Sequence, residues 1–152
     1  MARSKGGNAM AYDVPQLLQM TQKELDDLFS ASESGPIPDG EADGAAIIKP
    51  GTPLSPEIEK FLHIFIWKGK IFDSKAGHLV NRIGLLDVPL VAANVYKAPS
   101  WLDGKECIVL DYSKTSFVAQ HIRDEIRLIS PNFYLGKVYW DRKRLFDFSL
   151  KF

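Results

Sequence analysis

The sequence holds one cysteine, Cys107, in 152 residues. A single thiol excludes an internal disulfide and a zinc site built from several cysteines. Cys107 opens the apolar run C-I-V-L, so a buried inert thiol is the plainer reading than a nucleophile. Net charge is also missing: 19 basic side chains meet 19 acidic ones, and nothing draws the whole chain toward nucleic acid or a membrane surface. Residues 1–50 carry 4 basic and 8 acidic side chains and residues 51–152 carry 15 and 11. That asymmetry suits an acidic lead-in better than a binding device. No apolar run approaches the ~18 residues that a membrane helix needs. Residues 1–10 are polar and contain no hydrophobic signal core, which sets a cytoplasmic location as the expectation. Enzyme signatures are absent too: there is no G-x-S-x-G elbow, phosphate loop, dinucleotide fingerprint or H-E-x-x-H. His63, His78 and His121 stand on separate segments without metal-ligand spacing, so no metal is expected.

What the chain does have is strands. Phe146, Phe148, Leu150 and Phe152 alternate with Asp147, Ser149 and Lys151, the period of a strand with one buried face. Before them, Phe133 to Trp140 is rich in aromatic and β-branched residues and is separated from them by D-R-K, a hairpin with a short charged turn. Glu125 to Ile129 runs through Ser-Pro-Asn into the same strand. Three antiparallel strands therefore end the chain. Further strands are expected at Ala45–Ile48, at W-K-G-K-I-F-D-S, over His78–Leu86, over Pro89–Tyr96 and over Glu106–Tyr112. In the second of these, Lys68, Lys70 and Phe72 share one face and Trp67, Gly69 and Ile71 the other.

Two helix starts are legible. Thr21-Gln22-Lys23-Glu24 is a capping box, with Met20 and Leu25 placed as a hydrophobic staple, and predicts a helix over about residues 22–31 that buries Leu25, Leu28 and Phe29. Ser55-Pro56 opens a second, with Ile58, Phe61, Leu62 and Phe65 at helical spacing. A third short helix is expected over Thr115–Arg123, where Val118, Ile122 and Ile126 fit the helical period. The stretch S-G-P-I-P-D-G-E-A-D-G is either a surface linker or an ordered loop over a barrel end. Residues 1–19 show no periodic apolar face and are expected to be a disordered leader or a cloning remnant, leaving 20–152 as one domain.

Seven or so short antiparallel strands joined by tight turns point to a barrel or a sandwich rather than a parallel sheet, and the sequential hairpins favour a mainly β chain folded as an up-and-down β-barrel with two or three short helices. Pairing the last strand with an early one, such as 67–74, would close the sheet and remove an aromatic free edge. Polar residues interrupt the apolar strands: Lys68 or Lys70, Asn81, Arg82, Tyr96, Asp111, Tyr112, Arg127 and Tyr134. In a hollow barrel such residues orient the polar head of a ligand among apolar walls. The alternative is that they face solvent, with Arg127 pairing with Asp124 or Glu125. The turn Arg142-Lys143-Arg144 beside Trp140 suits a solubilising hairpin tip better than a phosphate contact.

Several of these pieces recur together elsewhere. A leading L-D-D-L-F helix, a Pro/Gly-rich loop, W-K-G-K-I-F-D-S and D-E-I-R-L-I-S-P-N-F-Y-L-G-K-V-Y-W stand here in that order. Over residues 25–152 the chain resembles bacterial lipocalin-like (calycin-type) domains, and more loosely the GXWXG and fatty-acid-binding-protein-like barrels. Trp67, Gly69, Lys70 and Phe72 match the early W-x-G-K-x-F strand, and Leu135, Gly136 and Val138 the late L-G-x-V one. The loop G-P-I-P-D-G-E-A-D-G lacks the glycine-flanked tryptophan of the GXWXG group. The resemblance implies a lipocalin-like barrel. The reading that follows is a protein holding a hydrophobic or amphipathic small molecule, with Trp67, Lys70, Phe72, Asn81, Tyr96, Tyr112, Arg127 and Tyr134 as ligand contacts and Phe133 and Tyr139 as further wall aromatics. Two other readings stand beside it: a barrel isomerase or cyclase using Tyr112 or Asp111 as acid–base group, and a filled barrel that serves as an interaction module. No cofactor and no oligomeric state follows from the sequence.

Overall fold

The computed structural model describes residues 11–49, 55–56, 70–83, 88–115 and 119–152, with only the backbone described at 81–83 and 88–91. Helix α1 (Val14–Gln19) and helix α2 (Gln22–Ala31) precede eight strands, β1 (Gly40–Ile47), β2 (Lys70–Asp73), β3 (His78–Ile83), β4 (Val88–Pro99), β5 (Glu106–Asp111), β6 (Ile122–Ser130), β7 (Phe133–Trp140) and β8 (Lys143–Lys151). Each strand pairs antiparallel with the next and β8 pairs with β1, which closes the barrel. The closing partner is thus Gly40–Ile47 rather than the expected 67–74 segment, and β2 pairs with the opposite edge of β1.

The capping box at Thr21 forms as the sequence prescribes. Glu24 N–H donates to Thr21 Oγ1 at 3.1 Å and Thr21 N–H to Glu24 Oε1 at 2.8 Å, satisfying two of the helix's orphan donors. A second capping box, D-V-P-Q, opens α1. Asp13 caps α1, with Gln16 N–H on its carboxylate at 2.9 Å and its own N–H on Gln16 Oε1 at 3.1 Å. The expected loose segment 1–19 is therefore corrected from Val14 onward: α1 is ordered and Leu17 is fully buried. Residues 1–10 lie outside the described residues.

The Pro/Gly-rich stretch is an ordered loop. Tyr134 Oη donates to Pro36 C=O at 2.7 Å, Leu128 N–H to Ser34 C=O at 3.3 Å and Ser74 N–H to Asp39 at 2.9 Å. Ile37 packs on the interior core, and Phe152 meets Phe72 and Tyr134 edge-on at 5.4 and 5.6 Å. Loop and aromatics together cover the barrel end where β1 and β7 begin. The other end is where β1, β5 and β7 finish and β2, β6 and β8 begin.

The helix expected over 115–123 is corrected. Ala119–His121 form a turn and Ile122 already begins β6, so Ile122 and Ile126 share a strand face at an even spacing that also fits a helix. Residues 116–118 lie outside the described residues, as does the helix expected after Pro56, which is itself helical.

Two apolar clusters hold the fold, one on each side of the barrel wall. The interior gathers Phe72, Leu79, Val95, Ile108, Leu110, Ile122, Ile126, Val138, Phe146, Phe148 and Leu150. The outer cluster seats Leu17, Leu25 and Phe29 of the helices on Ile47, Cys107, Val109, Phe133 and Leu135. Consequently β7 is buried on both faces, and Asp147 and Ser149 of β8, which alternation placed toward solvent, are buried under the helices. Gly136 is set by the interior: a Cβ there would strike the ring of Phe148, its register partner.

Candidate functional site

Three polar side chains meet inside the barrel. Lys70 projects inward from the start of β2 with Phe72, Tyr112 follows the end of β5, and Asp124 lies inside early β6. All three are buried to within 1% exposure. Strands β2 and β6 stand four places apart in the eight-strand order, so they are opposite walls. The lysine stem therefore crosses the bore. Its Nζ donates to Tyr112 Oη at 2.9 Å and lies 3.8 Å from Asp124 Oδ2. The ammonium also sits over the Tyr112 and Phe148 rings, 5.6 and 6.0 Å from their centroids.

Burial dominates the protonation of this cluster. Desolvation pushes the Lys70 ammonium below its ordinary pKa, against the pull of Asp124. The same desolvation raises Asp124, opposed by the Lys70 charge and by hydrogen bonding from Tyr112. Each charge is expensive there without the other. Asp124 Oδ1 has no hydrogen-bond partner among the described residues. A buried carboxylate oxygen left open is rare in a folded protein.

A second buried cation lies outside the wall. Arg127 sends all five N–H donors to acceptors: Phe29, Lys105 and Glu106 carbonyls at 2.9–3.0 Å and both Asp103 oxygens at 2.7 and 2.8 Å. Its hydrogen bonds hold the Asp103 carboxyl well below the usual carboxylate range. Nearby, Lys137 joins Asp26 at 2.6 Å and Asp147 at 2.7 Å, and Arg144 grips Asp26 with two bonds at 2.7 and 2.8 Å. These pairs fasten α2 to β6–β8. Glu125, on the same outer side, accepts from Ser100 Oγ, Trp101 N–H and Arg123.

Of the residues singled out by sequence, Lys70, Phe72, Tyr112 and Tyr134 come together inside the barrel. Arg127 does not: it belongs to the helix-seating network, and its partner is Asp103 rather than Asp124 or Glu125. Tyr96 points out of β4, 38% exposed, and donates to Asp111 at 2.7 Å. Asp111 is accordingly on the outer side, and the acid–base reading retains only Tyr112. Phe133 and Tyr139 also lie outside, against the helix cluster and Trp101 respectively. Trp67, Lys68, His63 and the side chains of Asn81 and Arg82 lie outside the described residues. Asp124, expected as an exposed partner of Arg127 because D-E-I-R looks like a charged strand start, is instead buried inside the barrel. Its signal was its parity with Ile122 and Ile126, two residues away on either side.

The hairpin tip is a two-residue turn in which Asp141 and Arg142 both take positive φ, 45° and 73°, a conformation non-glycine residues rarely adopt. Asp141 is held by His121 through its N–H at 3.0 Å and its carboxylate at 3.0 Å. Arg142 stacks on Trp101, 4.5 Å from its centroid. Among the described residues, no helix is long and apolar enough to cross a membrane.

No family model and no curated protein matches the chain significantly. A crystal structure of a protein from Thermomonospora curvata is similar, with a TM-score of 0.59 and 13% identity over 87% of each chain. At that identity the likeness bears on the fold alone. The chain is, by its own topology and by this likeness, a closed eight-stranded antiparallel β-barrel with two short helices among the described residues.

Proposed function

We propose that this protein is a lipocalin-like barrel that holds a small amphipathic molecule inside, with its polar group at Lys70, Tyr112 and Asp124. The observation that carries the reading is the cluster itself: an ion pair and a tyrosine set inside an apolar barrel, with one carboxylate oxygen open. Eight strands enclose an interior of the size that either side chains fill or one small ligand shares. Phe72, Tyr134 and Phe148 supply apolar wall, each Å² of ligand surface removed from water contributing about 25 cal/mol. Charge sets the class of head group. Among the described interior residues, one ammonium already faces one carboxylate, so an anionic head would leave two negative groups against one positive one. A neutral head adds no second negative group and is the class that the charge balance favours.

Native mass spectrometry of the protein purified from its own host tests this. The expected spectrum contains a non-covalent complex with a neutral small molecule, which is lost in Asp124→Leu. An apo mass alone, together with no enhancement of an apolar fluorophore by the purified protein, would overturn the ligand-holding reading and leave the interaction module.

A further inference from the structure

We propose that Lys70 is a nucleophile, and that the barrel captures an apolar aldehyde or ketone as a reversible imine on its Nζ. The proposal rests on the ligand-holding reading and adds the chemistry of the bond. A lysine amine reacts with carbonyl compounds when burial favours its neutral form and an acid stands beside it. Lys70 meets the first condition through its position, crossing an apolar bore at 1% exposure with burial drawing its proton affinity down. Tyr112 Oη at 2.9 Å and the Asp124 carboxylate at 3.8 Å meet the second.

The step balances without an oxidant or a reductant. Lys70 passes a proton to Asp124, and the free amine attacks the carbonyl carbon, forming the C–N bond while the C=O π pair moves to oxygen. The nitrogen proton transfers to that oxygen through Tyr112, giving a neutral carbinolamine. Asp124 then returns its proton to the hydroxyl, the C–O bond breaks and water leaves. The product is an iminium that keeps the positive charge Lys70 began with. Asp124 is neutral while it holds the proton and regains a counter-ion when the iminium forms, so the buried charge balance is the same before and after. A carboxylate ligand has no such route. The second carboxylate oxygen, open in the free protein, is where the departing water would first be held.

The purified chain, incubated with decanal and sodium cyanoborohydride and mapped by peptide mass, tests the proposal; the added hydride fixes the iminium as a secondary amine. The expected result is an alkylated Lys70, formed at least about tenfold faster than at the exposed Lys23, as desolvated lysines react. In Lys70→Arg, which keeps the charge, the fast-labelled site should vanish. In Tyr112→Phe labelling at residue 70 should slow about tenfold or more, the loss of a positioned acid, while decanol still displaces an apolar fluorophore. Labelling confined to exposed lysines, with decanol displacing the fluorophore from the wild type, would overturn the imine and leave the non-covalent reading intact. Absence of both Lys70 labelling and fluorophore binding would overturn the two together.

Discussion

Two buried cations sit on opposite sides of one barrel wall, and they are held very differently. Arg127, outside, spends every donor on a carbonyl or on Asp103. Lys70, inside, stands 3.8 Å from a carboxylate that keeps one oxygen open. A planar guanidinium has a fixed fork that a fold can match completely, whereas an ammonium on a flexible stem is a point charge that can change partners. The saturated site acts as a fastener for α2. In the interior site Asp124 Oδ1 has no hydrogen-bond partner among the described residues. The division is not complete, since among the described residues Asp147 Oδ1 and Ser149 Oγ also lack partners under the helices, but there Lys137 and Gln22 already occupy the other Asp147 oxygen.

Removing the fastener should cost as much as any single change. Arg127→Ala strands Asp103 and three carbonyls and should destabilise the protein by about 3–5 kcal/mol in urea melts, the cost of breaking a buried ion pair. A loss below about 1 kcal/mol, the range of exposed pairs, would erase the contrast with Lys70.

The interior pair should behave in the opposite sense when both partners go. Lys70→Met alone leaves Asp124 buried without its counter-charge and should cost about 3–5 kcal/mol, whereas Lys70→Met with Asp124→Leu should be neutral or stabilising. Ligand binding should be lost in both. The single variant should also acquire a pH signature. Burial raises the folded pKa of Asp124 above its unfolded value, and losing Lys70 removes the main force opposing that rise. The folded state then binds the proton more tightly, so the contribution is complete below the ordinary carboxylate pKa of about 4 and is lost as pH rises through the raised value. Melts of Lys70→Met should therefore show a midpoint that climbs on acidification, relative to the double variant. A flat difference between the two would place Asp124 in water rather than in the interior.

Gly136 and Phe148 test how tightly the interior beside Lys70 is packed. A Cβ at Gly136 meets the Phe148 ring, so Gly136→Ala should cost about 1–3 kcal/mol through overpacking. Adding Phe148→Ala should return part of that loss, a coupling of about 0.5–3 kcal/mol readable from a double-mutant cycle. Strict additivity would mean that the ring moves aside without strain.

The smallest effect belongs to the helix that Arg127 fastens. Thr21→Ala removes the oxygen that accepts from Glu24 N–H and should cost about 0.5–2 kcal/mol. Unchanged urea melts together with unchanged exchange protection at Lys23 and Glu24 would show that α2 is held by its tertiary contacts alone.

The sequence by itself determined the elements whose signals are local. The α2 capping box lies within four residues, and the strand periods at Phe133–Trp140 and Phe146–Leu150 are set by the pleat, so both are realised where they were read. The up-and-down order followed as well where tight turns join consecutive strands, as at β2–β3, β6–β7 and β7–β8. The tertiary structure decided which side of the wall each polar residue faces. Alternation separates Tyr112 from Asp111 and Asp124 from Glu125, but it names the interior only when one face is wet. Here α1 and α2 dry the outer face, and Arg127, Lys137 and Asp147 become as buried as Lys70. The closing partner of β8 was equally a tertiary decision, since a free edge specifies that it must be paired and not with which strand. Lys70 and Asp124 meet across the bore for the same reason: 54 positions apart in the chain, they are joined only because an eight-strand barrel sets β2 opposite β6.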